Sequence, residues 1–347
     1  MDILSQRVRS QWLADRPHAT VAAVAAHTVG LQAQDTGAAR LAVRARSRNT
    51  TAADVRRAGQ DRAVVRTWLM RGTLHLVAAE DVRWMLALFG ERNAAANARR
   101  RRQLGLDEPA LSRAMAAIPR VLAGSGPLSR ADLVTGLAHR KVAVDPSGQA
   151  PAHLVAYAAA HGLICRGPDL DGDEPGYVLL DDWVPAAAVP APDAAAVELA
   201  RRYLAAYAPA TAADFAAWSG LPAGTAKRAF SDVDPAGPAP AGGAAGSGPV
   251  VRLLGAFDTY LLGYRDRSLA LDSRYAKRIQ AGGGIIHPAV TVDGRVVGRW
   301  RLGRRRPGVA DLAVEAFSTL DPELEPALHA EAADIGRFLD CEVSLAL

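Results

Sequence analysis

The amino-acid sequence predicts an α+β protein in which helices and β-hairpins alternate in three successive blocks, the pattern of tandem winged helices, with a small β-unit at the C-terminal end. Three observations predict it. Helical apolar periodicity gives way to short β-prone runs near residue 64, the same change recurs near residue 163, and a third helical block precedes strand-like runs beyond residue 250. A chain of 347 residues also exceeds what one compact core usually organises, so several globular units are expected.

In the first block (1–108), Pro17 to Ala26 reads as a helix through Val21, Val24 and Ala25, and a second helix resumes from Asp35 to Arg46 after Gly30. Val64 to Leu69 and Thr73 to Val77 then read as strands joined by the tight turn Met70-Arg71-Gly72. In the second block (109–190), a helix from Ala110 to Leu122 leads to Ser129, placed to cap a helix from Arg130 to Leu137, and a third helix spans Pro151 to His161. Its strands, Leu163 to Arg166 and Tyr177 to Leu180, enclose a loop rich in Gly, Pro and Asp from Gly167 to Gly176.

The third block (191–347) opens with a helix from Val197 to Tyr207. Thr211 then starts a short capped helix ending at Trp218, the turn Ser219-Gly220-Leu221-Pro222 follows, and Ala223 to Phe230 completes a helix-turn-helix pattern. Residues 234–249 are nearly all Pro, Gly, Ala and Ser, a linker composition that cannot repay its ordering entropy by burial. Val250 to Leu254, His287 to Val292 and Val296 to Leu302 read as strands, with Asp293-Gly294 as a hairpin turn, and Pro322 to Phe338 reads as a closing helix. The three blocks share a pattern and no detectable sequence identity.

Composition narrows the function. Half the residues are hydrophobic, 22% are charged and mean hydropathy is +0.01, which fits a globular protein in water. No apolar run reaches the length of a membrane span, and Met1 to Trp12 carries charges without an apolar core, so a cytoplasmic protein without membrane contact is expected. The cysteines, Cys165 and Cys341, stand far apart outside any CxxC spacing, which argues against disulfides and metal. A net charge of +5 rests on 41 basic residues, mostly arginine, whose planar fork suits phosphate; a GC-rich genome supplies arginine too, so charge alone leaves nucleic acid open. No Walker loop, HExxH or nucleophile elbow occurs, and no GxGxxG follows a strand, so no nucleotide cofactor is expected.

Four groups of side chains could carry chemistry. Leu31-Gln32-Ala33-Gln34-Asp35 sets two amides and a carboxylate after a helical segment; taken alone, such residues usually satisfy helix-end carbonyls or face solvent. The 64–77 hairpin brings together Arg71, Thr73 and His75, read either as phosphate contacts or as a structural histidine beside a solvated arginine. The segment from Phe257 to Arg267, with Asp258, Tyr260, Tyr264, Arg265 and Arg267, suits a nucleic-acid channel, while Phe257, Tyr260 and Leu261 at helical spacing suit core packing with an internal Asp–Arg pair. Two arginine runs remain: Arg99 to Arg102 reads as a solvated face, whereas Arg299, Arg301, Arg304, Arg305 and Arg306 around Trp300 read as a basic ribbon able to enter a groove.

Taken in order, Gly30-Leu31-Gln32-Ala33-Gln34, Arg71-Gly72-Thr73-Leu74-His75-Leu76, Phe257-Asp258 to Tyr264-Arg265-Asp266-Arg267, and Val292 to Trp300 resemble the winged-helix family of AlkZ and YcaQ over nearly the whole chain. The resemblance implies a C-shaped array of three winged helices holding duplex DNA in a basic cleft. It also implies a monofunctional DNA glycosylase whose Gln-x-Gln motif falls on Gln32 and Gln34. Glutamine at the second position is similar to the AlkZ branch, which removes N7-alkylated purines and unhooks crosslinks, often as self-resistance to a genotoxic natural product. DNA contacts are expected from Arg71, Thr73, His75, Tyr264, Arg265, Arg267, Arg295, Arg299, Trp300 and Arg301, with the Asp293-Gly294 hairpin probing the duplex. A monomer acting at the nucleoid without cofactor or metal completes the expectation. A non-catalytic winged-helix regulator is the alternative reading, and a protein-docking module a third.

Overall fold

The computed structural model describes residues 2–233, 248–306 and 308–347, and their side chains apart from those of Arg304 and Arg305. The linker expected at 234–249 therefore lies outside the described residues except for its last two positions, as do those two arginine side chains. The chain divides into two compact units, Met1–Val55 with Ala196–Leu347, and Arg56–Ala195. This division differs from the expected blocks 1–108, 109–190 and 191–347. In the second unit the hairpins of the first two blocks join one sheet, because Val64–Trp68 pairs antiparallel with Ile164–Asp169 through Arg66 and Arg166.

Within that second unit the strands run in the order Leu74–Ala78, Val64–Trp68, Ile164–Asp169, Pro175–Leu179. Helices Glu108–Leu122, Arg130–His139 and Ala150–Ala160 bury Leu111, Ile118, Leu133, Leu154 and Ala158 with Ile164 and Tyr177 of the sheet. Ser129 caps the second of these helices, its Oγ accepting from the Asp132 amide at 3.0 Å as its position before the apolar run predicts. Gly90, in the helix Val82–Ala96, lets that helix close on Ala150–Ala160, since a Cβ there would overlap the Ala160 carbonyl.

The first unit combines helices from both ends of the chain with a second sheet. That sheet runs Glu342–Ala346, Val309–Ala316, Arg295–Arg306, Ala289–Val292, Val251–Leu254. The helix Glu325–Leu339 contributes Leu328, Ala332 and Ile335 to a core with Val251, Leu253, Val290, Trp300 and Leu312. Two of these strands escape the sequence reading. In Val309–Ala316 the apolar positions Ala310, Leu312 and Val314 do alternate inward, but two of eight residues are strong β-formers only as lone valines, and the signal is weak. The chain closes on the strand Glu342–Ala346, parallel to Val309–Ala316, and not on the helix, because Asp340 adopts a left-handed conformation (φ 55°) and turns the backbone away.

The helix-turn-helix of this unit is built as its capping residues predict. Thr211 and Asp214 form a reciprocal capping box at the start of Ala212–Ser219, and left-handed Gly220 ends that helix before Ala223–Ser231. Tyr203, Tyr207, Phe215 and Trp218 pack ring against ring, Tyr203 on Tyr207 at 4.8 Å between centroids. Buried ion pairs tie this unit together. Arg44 donates to Glu331 at 2.7 Å, and Arg46 grips Asp258 with both terminal nitrogens, at 2.6 and 2.9 Å. Removing Asp258 would leave the Arg46 charge buried without its carboxylate, which costs about 3–5 kcal/mol, whereas Glu331 keeps Arg252 as a second partner at 3.3 Å.

Candidate active site

The Gln-x-Gln segment follows the helix Val21–His27, which Thr20 caps. The helix ends in two successive bonds, Val29 N–H to Ala26 O and Gly30 N–H to Ala25 O, with Val29 at φ 54° and Gly30 at φ 99°. A β-branched residue in the left-handed region is strained by about 1–2 kcal/mol, and the surroundings hold it there: Val29 is fully buried. Tyr207 Oη donates to the Thr28 carbonyl at 2.9 Å, and the His27 ring stacks on Trp12 at 3.8 Å. The turn that launches the motif is thus tied down on several sides.

Beyond this turn the backbone is extended at Leu31–Gln32, not helical. Extended chain sends alternate side chains to opposite faces, so Leu31 and Ala33 go into the core at 0% exposure while Gln32 and Gln34 share the other face. Gln32 Nε2 donates to Gln34 Oε1 at 2.8 Å. Gln34 is exposed, whereas Gln32 is buried and its Oε1 has no hydrogen-bond donor among the described residues. A buried acceptor left unmet costs about 1–3 kcal/mol. Asp35 takes no part in that pair, since its Oδ1 caps the helix Thr36–Arg46 by accepting from the Ala38 amide at 2.7 Å.

The hairpin of the second unit places its three candidates differently. Arg71 stands exposed at the tip (φ 55°), and Thr73 Oγ1 donates to the Met70 carbonyl at 3.1 Å. His75 is 2% exposed, with Nδ1 at 2.9 Å from the Thr73 carbonyl. Burial, with the Arg71 charge adding to it, pushes its pKa down to about 3, so the ring is neutral at physiological pH and Nδ1 carries the donated proton.

Several expected DNA contacts are internal. Tyr264 is buried, its Oη donating to the Tyr207 carbonyl at 3.0 Å and its ring covered by the Arg7 guanidinium at 3.6 Å. Trp300 is buried too, and its Nε1 donates to the Leu254 carbonyl at 2.7 Å. Period-two alternation explains the error: on one strand Arg299 and Arg301 face outward while Trp300 faces the core. Arg267 donates to the Leu261 carbonyl and burial lowers its pKa, which makes it a brace for its own loop. Arg265, Arg295 and Arg301 are exposed, and Arg299 pairs with Glu315.

The internal partner of Asp258 is Arg46, which the sequence reading did not single out; Gln11, also missed, accepts from the same guanidinium at 2.9 Å. A run of Ala and Val around Arg44 and Arg46 was the available signal, since a charge inside an apolar helix needs a partner. In the other run, Arg101 is buried over the Tyr157 ring while Arg99 and Arg102 are exposed. The Asp293-Gly294 turn does not protrude either. Tyr260 Oη donates to the Gly294 carbonyl at 2.8 Å, and a Cβ at Gly294 would overlap that hydroxyl and approach Val8 to 2.8 Å. Among the described residues no group of His, Cys, Asp and Glu could hold a metal ion, and no helix is long and apolar enough to cross a membrane.

Comparison with known proteins gives this geometry a context. A family model described as DNA glycosylase AlkZ-like matches residues 25–338. An interstrand DNA cross-link repair glycosylase of Streptomyces sahachiroi is 27% identical, over 96% of this chain and 95% of its own. The solved structure of Streptomyces sahachiroi DNA glycosylase AlkZ superposes with a TM-score of 0.77 at 26% identity, covering 99% of this chain and 98% of that one. With the family pattern matched from just ahead of the Gln-x-Gln segment to the last helix, this chain belongs to the AlkZ-like DNA glycosylase family.

Proposed function

We propose that this glycosylase hydrolyses the N-glycosidic bond of alkylated purines in duplex DNA, N7-alkylguanine foremost, with Gln32 and Gln34 as the catalytic pair. The observation that carries the reading is the buried, unmet Oε1 of Gln32 beside the exposed Gln34 amide. An amide lacks the basicity to deprotonate water, so the pair needs a substrate that is already primed. An N7-alkylguanine is such a substrate: the base is cationic, and when the C1′–N9 electrons move onto it, it departs neutral. The sugar is left as an oxocarbenium-like cation, and water adds to C1′ as its proton passes to solvent.

Gln32 Oε1 faces that developing charge or accepts from the attacking water, and Gln34 Oε1 holds the Gln32 amide in orientation by accepting from it. Bulky adducts and N7-linked interstrand crosslinks fit the same chemistry, because an exposed Gln34 does not require full extrusion of the base into a tight pocket. Exposed Arg71, Arg265, Arg295 and Arg301 would hold phosphates, on a monomer of tandem winged helices bounded at 1–108, 109–190 and 191–347.

The test is release of free base, followed by mass spectrometry, from a duplex containing N7-methylguanine. Wild type should release it, and Gln32→Ala and Gln34→Ala should each lose about 10²–10³ in single-turnover rate. Equal release by all three would remove the glutamines from the mechanism. Sequence-specific binding without release would instead identify a regulator. Since neither amide titrates, the rate should stay flat between pH 6 and pH 9.

A further inference from the structure

Gln32 leaves a turn that costs energy to hold, since Val29 is β-branched and left-handed, and the extended stretch that carries it is only Leu31–Gln32. Its direction therefore depends on what grips the turn. Two grips meet there, both from distant chain. Tyr207, the last residue of the helix Pro192–Tyr207, donates from Oη to the Thr28 carbonyl at 2.9 Å. His27 Nε2 lies 2.7 Å from the Ser10 carbonyl; burial pulls the pKa of this ring down to about 4, so it is neutral and Nε2 carries the donated proton. Ser10 in turn donates from Oγ to the Ala208 carbonyl at 2.8 Å. The ties close a loop that runs from Thr28 to Tyr207, from the adjacent Ala208 to Ser10, and from Ser10 back to His27.

Tyr207 is itself held on every side. Its ring packs on Tyr203 and Trp218, and a Cβ at Gly263 would come within 2.5 Å of it, so glycine there makes its space. The Tyr207 carbonyl accepts from Tyr264 Oη at 3.0 Å, Tyr264 Oη accepts from Gln11 Nε2 at 3.3 Å, and Gln11 Oε1 accepts from Arg46, the partner of Asp258. The segment from Asp258 to Tyr264, whose composition suits a nucleic-acid channel, is thus wired through Tyr207 to the turn that precedes Gln32. Burial pushes the pKa of the Tyr207 hydroxyl up to about 12, so it keeps the proton it donates at neutral pH.

We propose that Tyr207 is a positioning residue of this glycosylase: its hydroxyl fixes the Thr28 carbonyl, holds Val29 in its left-handed conformation, and so sets the direction in which the Gln32 amide leaves the turn. The inference rests on the reading of Gln32 and Gln34 as the catalytic pair. An amide that works by orientation, without basicity, loses its effect when its carbonyl swings away from the reacting centre, and a small misplacement is enough. Without the hydroxyl the Thr28 carbonyl loses its donor and Val29 is free to relax its strain. Gln32 Nε2 then spends less time on Gln34 Oε1, although neither glutamine touches Tyr207.

The test pairs Tyr207→Phe with Tyr203→Phe. Each keeps the ring and removes one buried hydroxyl that donates to a backbone carbonyl, that of Thr28 at 2.9 Å and that of Gly263 at 2.7 Å. Both should lose similar stability in denaturant titration and bind a duplex containing N7-methylguanine within about twofold of wild type. Only Tyr207→Phe should slow base release in a single turnover, by about tenfold or more. The side-chain amide signals of Gln32 in NMR, identified by their loss in Gln32→Ala, give a readout that needs no DNA. They should shift and exchange faster with solvent in Tyr207→Phe and stay as in wild type in Tyr203→Phe. Unchanged Gln32 signals in Tyr207→Phe overturn the proposal, and so does an unchanged rate where Gln32→Ala is slow. Equal changes in both variants also overturn it, since they would mark a general loosening of the aromatic cluster. Failure of the catalytic reading looks different: Gln32→Ala would then release base like wild type, while the NMR comparison still decides whether Tyr207 orients the amide.

Discussion

Two glycine turns of the same unit, Asp293-Gly294 and Gly282-Gly283-Gly284, have nearly the same backbone need and opposite surroundings. In both, positive φ makes glycine the favoured residue. Gly294 is packed against Tyr260, Val8 and Leu4, and the Val250 amide donates to the Asp293 carboxylate at 2.8 Å, so this turn fastens the sheet to the first helix. At the three-glycine turn an added Cβ would meet nothing within 4 Å, and the hairpin carries an exposed aliphatic. Of the two, the sequence reading marks a hairpin only at Asp293-Gly294; which turn can reach a partner depends on what lies across from the tip.

The comparison can be broken by substituting alanine at each turn. Gly294→Ala combines a strained φ with overlap on Tyr260 and Val8, so stability should fall by about 2–4 kcal/mol in denaturant titration. A loss below about 1 kcal/mol would mean that the turn is not packed as described. The turn of the second unit offers an intermediate case, with Arg71 exposed and His75 buried only four residues apart. His75 has its pKa lowered to about 3, against about 6.5 in an unfolded chain. Its native ring is therefore neutral, and as pH falls below 6.5 the unfolded chain takes up a proton that the native state refuses.

The resulting loss of stability should be about 1.4 kcal/mol per pH unit from pH 6.5 down towards pH 3, and nothing above pH 6.5. His75→Asn keeps a donor for the Thr73 carbonyl and removes the titration, so its stability should fall less steeply than wild type between pH 6.5 and 5. Parallel curves would show that the ring is not excluded from water. The smallest effect belongs to Gly283→Ala, where open space leaves only the left-handed φ to penalise, about 1 kcal/mol. Losses equal to those of Gly294→Ala would erase the distinction between the two turns.

The Gln-x-Gln segment stood out through the family resemblance and not through its local pattern, although its geometry is local. The spacing of Gln32 and Gln34 makes them neighbours as soon as the backbone is extended, and small, apolar Ala33 fits the buried face between them. The helix caps at Ser129 and Thr211 were legible, since a cap needs only its own first turn. Tyr264 and Trp300 were misplaced because aromatic residues interleaved with arginine look alike on a nucleic-acid surface and on a strand with one buried face. Only the distant segments packed against them decide, and there Tyr207 and Leu254 supply the carbonyls that accept from Tyr264 and Trp300.

By itself the sequence determined the alternation of helices and hairpins and the capped helix starts, set by torsional preference and side-chain period within a few residues, while the two glutamines stood out only through the family resemblance. Tertiary structure alone decided that Asp258 answers Arg46 across 212 positions, that the hairpins at 64–78 and 164–179 form one sheet, and that one glycine turn is packed while another is free. The physical reason is common to these. Burial and ion pairing depend on which surfaces are removed from water together, and that is a property of distant segments meeting, which no window along the chain contains.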